Sequence, residues 1–368
     1  MSFNLEKPVR VISGENSVLN NGELLKQFGG KCLIVCSGTA AEKSGALTDI
    51  KKVLSENGIG FSVFNGITEN PRTADCFKAG GIAREINAGF IIGIGGGSAL
   101  DAAKAVGVYA ANCQISSPDL IYSLPVENKP LPVVLIGTTA GTGSEVTGVS
   151  VLTNGDGKKK SVKGENYYAS LVFADSKYTF SLPFSVTVST ALDALCHAVE
   201  SYLSNKADSV SKSYSEKAVS LLWGELSCLE KEKTLPDNEQ RDKLYDASVF
   251  AGLAIEKTGC CFPHTVGYFL TEKHSVPHGK ACAVFLPEYV KRALEFNRES
   301  AEKILSVMKT DFDSFEKTVM SLSGVKIDLD KNELEKYLHF WENAANFDNS
   351  PGGYTADEAR KLIINLFG

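Results

Sequence analysis

Gly89-Phe90-Ile91-Ile92-Gly93-Ile94-Gly95-Gly96-Gly97-Ser98-Ala99-Leu100-Asp101-Ala102-Ala103-Lys104 is the stretch that decides the fold. An apolar run ending in three glycines and passing into a helical texture reads as a buried strand that turns sharply into a helix. Glycine has no Cβ, so the backbone can bend tightly there and approach a ligand closely. Free N–H groups at the start of the following helix, with their partial positive charge, suit a pyrophosphate. Ser98 stands where it can cap that helix, which is expected to run to Val106. The run is not a GxGxxG fingerprint, because position 100 is Leu, and it is not a P-loop. On its residues alone it is either a phosphate turn or a tight packing turn.

Working outward, the same texture recurs on both sides. Val9 to Ile12 and Lys31 to Cys36 read as strands, the second a continuous apolar run that ends in the turn Ser37-Gly38-Thr39. A helix through Lys52 and Leu54, a strand from Phe61 to Phe64 and a helix from Thr73 to Ile86 follow. Beyond the glycine turn, Pro132 to Ile136 is a strand, and Gly137-Thr138-Thr139-Ala140-Gly141-Thr142-Gly143 is the loop after it. Val149 to Leu152 and Ser161-Val162, separated by Asn154-Gly155, read as a β-hairpin. Lys158-Lys159-Lys160 is its solvated end, and Leu171 to Asp175 closes the sheet. Strands alternating with helices predict an α/β domain with a doubly wound parallel sheet. Ligands bind at the C-terminal ends of such strands.

At Leu182-Pro183 the pattern changes to helices alone, expected over 187–204, 210–229, 238–257, 260–271 and 278–296, with two or three shorter ones after them. The chain therefore divides into a dinucleotide-binding α/β domain, residues 1–182, and an all-helical domain, residues 183–368, in which the stretch Ser189 to Pro287 carries four of the five histidines. Asp193 and His197 are four apart in a helix and share one face, where a carboxylate and an imidazole can grip one cation. His264, after Pro263, and His278, between Pro277 and Gly279, complete a possible set of metal ligands. Each histidine alone reads more simply as a core or cap residue; the four residues together favour a metal.

Composition narrows the alternatives. A chain of 368 residues exceeds one core. A net charge of -6 and a pI near 5.6 give no basic face for nucleic acid. Nine cysteines with no CxxC pair read as reduced thiols in a cytoplasmic protein. The first residues lack the apolar run of a signal peptide, and no stretch is apolar enough to span a membrane.

The metal stretch, the run Gly95 to Lys104 and the run Gly137 to Thr147 together resemble the iron-containing (group III) alcohol dehydrogenases over roughly residues 5 to 295. The resemblance implies Asp193, His197, His264 and His278 as ligands to Fe2+, with Zn2+ the other ion this donor set suits. It implies that Gly95, Gly96, Gly97 and Ser98 bind the cofactor, with Asp101 holding the turn or reaching the nicotinamide amide. Thr138, Thr139 and Thr142 would line the cofactor, and Lys160 aligns with a lysine that reaches it. The implied reaction is hydride transfer between a nicotinamide and a small alcohol or aldehyde, in a homodimer.

Two departures bear on the chemistry. Tyr268 replaces a histidine that relays the proton in many members, leaving His274 the only spare histidine nearby. Glu256-Lys257 replaces two small amides of the substrate pocket: either a surface pair at a helix end, or a lysine for an anionic substrate group such as a carboxylate. After the second strand, Ser37-Gly38-Thr39 lacks the acidic residue that favours NAD, so NADP is expected to be accepted, even preferred. Competing readings are a dehydroquinate-synthase-like or glycerol-dehydrogenase-like enzyme on the same scaffold, or a non-catalytic metal or nucleotide sensor.

Overall fold

The computed structural model describes residues 8–368, and contacts divide the chain into two compact units between Leu182 and Pro183. The N-terminal unit is built on a six-stranded parallel sheet. Its strands are β1 (Arg10–Ser13), β2 (Lys31–Cys36), β3 (Gly60–Phe64), β4 (Phe90–Gly95), β5 (Val133–Gly137) and, after a separate hairpin, β8 (Leu171–Ala174). The order is β1-β8-β5-β4-β2-β3, so β8 lies inside the sheet and β1 takes the edge beyond it. The runs at β4, β5 and β8 are buried throughout, which is why they read as continuously apolar rather than alternating. Helices α1 (Ala46–Glu56), α2 (Thr73–Glu85) and α3 (Gly97–Ala111) are the longest of this unit. Register pairs Cys36 with Ile94 and Gly95 with Gly137, so β2, β4 and β5 end level. The turns after them, at Ser37, Gly96 and Thr138, therefore share one edge of the sheet.

The hairpin pairs β6 (Val149–Thr153) with β7 (Lys159–Lys163). Asn154-Gly155 does not form the two-residue turn that this dipeptide usually makes. The Gly155 N–H donates to Asp119 Oδ2 at 3.0 Å, the Asn154 side chain accepts from the Lys158 N–H at 2.8 Å, and the positive φ falls on Gly157.

The C-terminal unit is helical. Its centre is α4 (Phe184–Leu203), buried along nearly its whole length, with α5 (Ser209–Glu232) and α6 (Asn238–Thr258) against it. Asp208 and Asp237 cap the latter two through capping boxes. Next come α7 (Phe262–His274), α8 (His278–Ala283) and α9 (Leu286–Phe296). The helix expected over 278–296 is thus broken, and Pro287 sits in the first turn of its second half, where it is tolerated. Five helices follow rather than two or three: α10 (Arg298–Met308), α11 (Phe312–Ser323), α12 (Lys331–Tyr337), α13 (Ala345–Asp348) and α14 (Ala356–Phe367). The tail returns to the core, where Ser350 Oγ accepts from the Phe262 N–H at 3.0 Å and buttresses the start of α7. Among the described residues no helix is long and apolar enough to cross a membrane.

Candidate metal and cofactor sites

Asp193, His197 and Glu200 lie at i, i+4 and i+7 on α4, one face of one helix, and all three are buried. His264 stands in the first turn of α7, after Pro263, and His278 opens α8. Gly279 lets α8 lie against α4: a Cβ there would fall 1.8 Å from the Ser189 carbonyl oxygen and 2.9 Å from the Asp193 amide nitrogen. No side chain fits that gap.

His264 Nε2 is 3.4 Å from Asp193 Oδ1, and His278 Nε2 is 4.0 Å from the same oxygen. Asp193 Oδ1 and His264 Nε2 are buried, and neither makes a hydrogen bond. An oxygen and a nitrogen converging in this way suit a cation that both would bind. Ligand atoms of Asp193, His264, His278 and Cys282 all lie within 4.8 Å of one another. His197 belongs to a second such group with His264 and Cys260, its ring stacked on His264 at 4.6 Å. Burial alone would raise the Asp193 carboxyl, but His197, His264 and His278 outweigh it and hold it well below the usual carboxylate range. Burial opposes charge on His264 too, yet Cys260, Cys282, Glu200 and Asp193 raise it well above the ordinary imidazole value. The pocket favours positive charge at this point, and its donors fit a divalent ion. His278, 31% exposed, is where the cluster meets solvent.

Glu200 was not singled out in the sequence. Its Oε1 lies 2.5 Å from His264 Nδ1, and its Oε2 accepts from the Cys261 N–H at 2.7 Å. The carboxylate thereby fixes the imidazole with Nδ1–H towards Glu200 and the Nε2 lone pair towards Asp193. The sequence signal was its place seven residues after Asp193.

The three residues considered for proton relay or substrate contact are placed differently. Tyr268 stacks on His278, with centroids 5.4 Å apart, and burial pushes its phenol well above the usual tyrosine value. His274 is ten residues beyond His264 on α7, about 15 Å along the axis at helical rise. It packs edge-on against Phe269, so the structure does not bring it to the cluster. Lys257, near the C-terminus of α6, pairs its ammonium with Asp208 at 3.5 Å, the arrangement of a surface pair at a helix end.

In the N-terminal unit, the glycine turn and the Thr/Gly loop interlock. The Thr138 N–H donates to the Gly95 carbonyl at 2.9 Å. Cβ atoms at Gly96 and Gly97 would lie 3.1 Å and 2.7 Å from the side chains of Thr139 and Thr142. Gly95, at φ 151, faces Ser37, whose Oγ would be 3.7 Å from a Cβ placed there. Gly38, at φ 49, continues that edge before Thr39. Ser98 is not the cap of α3: the helix starts at Gly97, no side chain caps it, and it runs to Ala111 rather than Val106. Ser98 Oγ instead accepts from the Asn70 N–H at 3.2 Å. With no side-chain cap, the first-turn N–H groups of α3 remain suited to an anion.

Asp101 turns inward. Its Oδ1 accepts from Ser144 Oγ at 2.5 Å and from Lys104 Nζ at 3.3 Å, and its Oδ2 from the Val151 N–H at 2.9 Å. Lys104, 0% exposed, also donates to Ser144 Oγ and the Val149 carbonyl. These bonds tie Asp101 into the turn. Lys160 is exposed on β7 with its ammonium over the Tyr122 ring.

The iron-containing alcohol dehydrogenase family model matches residues 8–176, and that of the family's C-terminal part matches residues 187–329. The 1,3-propanediol dehydrogenase of Klebsiella pneumoniae is 31% identical over 329 residues, 86% of this chain and 83% of that one. An iron-containing alcohol dehydrogenase structure from Thermotoga maritima superposes with a TM-score of 0.90 at 32% identity, covering 100% of each chain. The sulfoacetaldehyde reductase of Bifidobacterium kashiwanohense, solved with NAD+, gives 0.87 at 25% identity, covering 100% of this chain and 99% of that one. The chain belongs to the iron-containing alcohol dehydrogenase family. It is an oxidoreductase acting on CH–OH donors, and iron and NAD are the cofactors the family implies.

Proposed function

We propose that the chain interconverts a short polar aldehyde and its alcohol at a divalent ion held by Asp193, His197, His264 and His278, with NADP accepted beside NAD. The observation that carries this is the buried pair Asp193 Oδ1 and His264 Nε2, 3.4 Å apart and without hydrogen bonds. When bound, Fe(II) or Zn(II) there supplies Lewis acidity that lowers the pKa of an alcohol and polarises a carbonyl. Asp193 brings negative charge to the site, and Glu200 keeps the His264 lone pair aimed at it. The first-turn N–H groups of α3 receive the pyrophosphate, while Thr139 and Thr142 cover the glycine turn. A nicotinamide cofactor held by the glycine turn would supply or take up the hydride. The substrate class is supported by relatives named for 1,3-propanediol and sulfoacetaldehyde. Nine free thiols support a cytoplasmic setting.

Acceptance of NADP rests on Ser37-Gly38-Thr39, which has no carboxylate to repel a 2′-phosphate. The test is a panel of neutral and carboxylated aldehydes, run with NADPH and NADH on iron-loaded protein. Turnover should appear in the parent and vanish in His278→Ala; full turnover in that variant removes the ligand assignment. Ser37→Asp should move kcat/KM towards NADH, and an unchanged ratio would show that residue 37 is not at the ribose.

A further inference from the structure

The chain beyond residue 329, where the family match ends, closes over the first turn of α7. Asn349 follows α13 as its C-cap and is 3% exposed; Ser350, beside it, is 0% exposed. The Asn349 amide donates to the Thr258 carbonyl at 3.0 Å, at the end of α6, and its Oδ1 accepts from Ser204 Oγ at 2.8 Å, at the end of α4. Its main-chain carbonyl accepts from the Asn205 N–H at 2.9 Å. Besides accepting from the Phe262 N–H, Ser350 Oγ donates to the Asn346 carbonyl at 2.8 Å. Asn346 in turn donates to Thr265 Oγ1 at 3.0 Å, and Trp341 Nε1 to the Thr265 carbonyl at 3.3 Å. Phe262 and Thr265 stand on either side of His264, so the tail grips the main chain before and after that imidazole. Apolar contact already holds the tail down, since the Tyr354 ring stacks on Phe262 at 3.7 Å. Buried amides and hydroxyls add what apolar contact lacks, a fixed direction and distance between the groups they join.

We propose that Asn349 and Ser350 are positioning residues of the metal site, setting α7 against α4 so that ion binding and tail docking stabilise each other. Asp193, His197 and Glu200 come from α4 and His264 from α7, so the approach of Asp193 Oδ1 to His264 Nε2 depends on how those two helices are held. Asn349 bonds to the end of the first helix and to the chain leading into the second; Ser350 bonds to the first amide of the second. Neither residue touches the ion; both act through His264. The coupling is reciprocal: whatever the tail adds to ion affinity, the ion adds to the attachment of the tail. This rests on the metal site proposed above.

The probe is Zn(II), titrated against a chromophoric chelator into full-length protein freed of metal, with amide hydrogen exchange of residues 341–354 followed in its presence and absence. In the parent, Zn(II) should slow exchange across that segment. Asn349→Leu, close in volume and uncharged, removes every side-chain bond of Asn349. It should bind Zn(II) on the order of 10–100-fold more weakly, as loss of an outer-sphere partner does, and Zn(II) should no longer slow exchange in its tail. Ile363→Ala empties a buried position of α14 that makes none of these bonds, so it should lower the Tm and leave Zn(II) affinity at the parental value. Parental Zn(II) affinity in Asn349→Leu, with a lowered Tm, overturns the proposal by making the tail a structural clasp only, and leaves the metal site standing. Exchange in the parent tail that ignores bound Zn(II) overturns it in the same way. If Ile363→Ala weakens Zn(II) binding as much as Asn349→Leu, lost stability accounts for the effect and the proposal falls. A parent that binds no Zn(II) overturns both the proposal and the site it rests on. Should Asn349→Leu lose far-ultraviolet circular dichroism, Ser350→Ala, a smaller change, is read in its place against the same outcomes.

Discussion

Asp101 in the N-terminal unit has both carboxylate oxygens bonded, to Ser144 and Lys104 on one side and to the Val151 amide on the other. Asp193 in the C-terminal unit keeps Oδ1 buried, unbonded and 3.4 Å from an imidazole nitrogen in the same condition. Both sit on helices, and both belong to the motifs by which the family is recognised. One is saturated by its own chain and works as a fastener between a helix, a loop and a hairpin. The other is left with a lone pair that only an external cation completes. Saturation, rather than burial or motif membership, separates the two roles.

The sharpest way to break this comparison is to remove each carboxylate in turn. Asp193→Ala should reduce metal content and turnover to background with far-ultraviolet circular dichroism unchanged. Metal bound at parental stoichiometry would show that Asp193 is not a ligand. Asp101→Ala should do the reverse, since it removes the carboxylate paired with the buried Lys104 ammonium. That costs about 3–5 kcal/mol, which lowers the Tm by about 6–20 °C for a unit of this size, while metal content holds. An unchanged Tm would mean that Asp101 carries no structural load. Glu200→Gln sharpens the contrast at smaller scale. The amide occupies the same volume but holds His264 less firmly, so metal affinity should fall by on the order of 10–100-fold. A fall in Tm with no change in metal affinity would make Glu200 purely structural. Lys257→Ala should do least. An exposed ion pair contributes about 0–1 kcal/mol, so kcat/KM for neutral and carboxylated aldehydes should move together. A selective rise in KM for the carboxylated one would return Lys257 to the substrate.

What could be read from the sequence follows the range of each interaction. The β4 run and its glycine turn were legible because a strand covered on both faces must be apolar throughout, and a sharp turn needs glycine. Asp193 and His197 were legible because helical spacing alone puts them together. The fastening role of Asp101 was not fixed, since its partners lie 43 and 50 residues away. Glu200 shows the same limit: its spacing from Asp193 was visible, but its partner is 64 residues further on. Ser98 looked like a cap, and a cap is a local inference. The contact that claims its hydroxyl comes from Asn70, 28 residues earlier. The tail carried no pattern pointing at the cluster, because it acts through single bonds such as Ser350 to the Phe262 amide, 88 residues apart.

The missing side chain at Gly279 has a further consequence. With a Cβ there only 1.8 Å from a carbonyl of α4, the span between Asp193 and His278 is set by how closely two main chains can lie, not by side-chain reach. The pocket is calibrated by backbone thickness, a gauge with almost no tolerance. Any larger residue at that point would act as a shim, parting the two helices and changing which ionic radius the ligands can enclose, although every ligand would still be present.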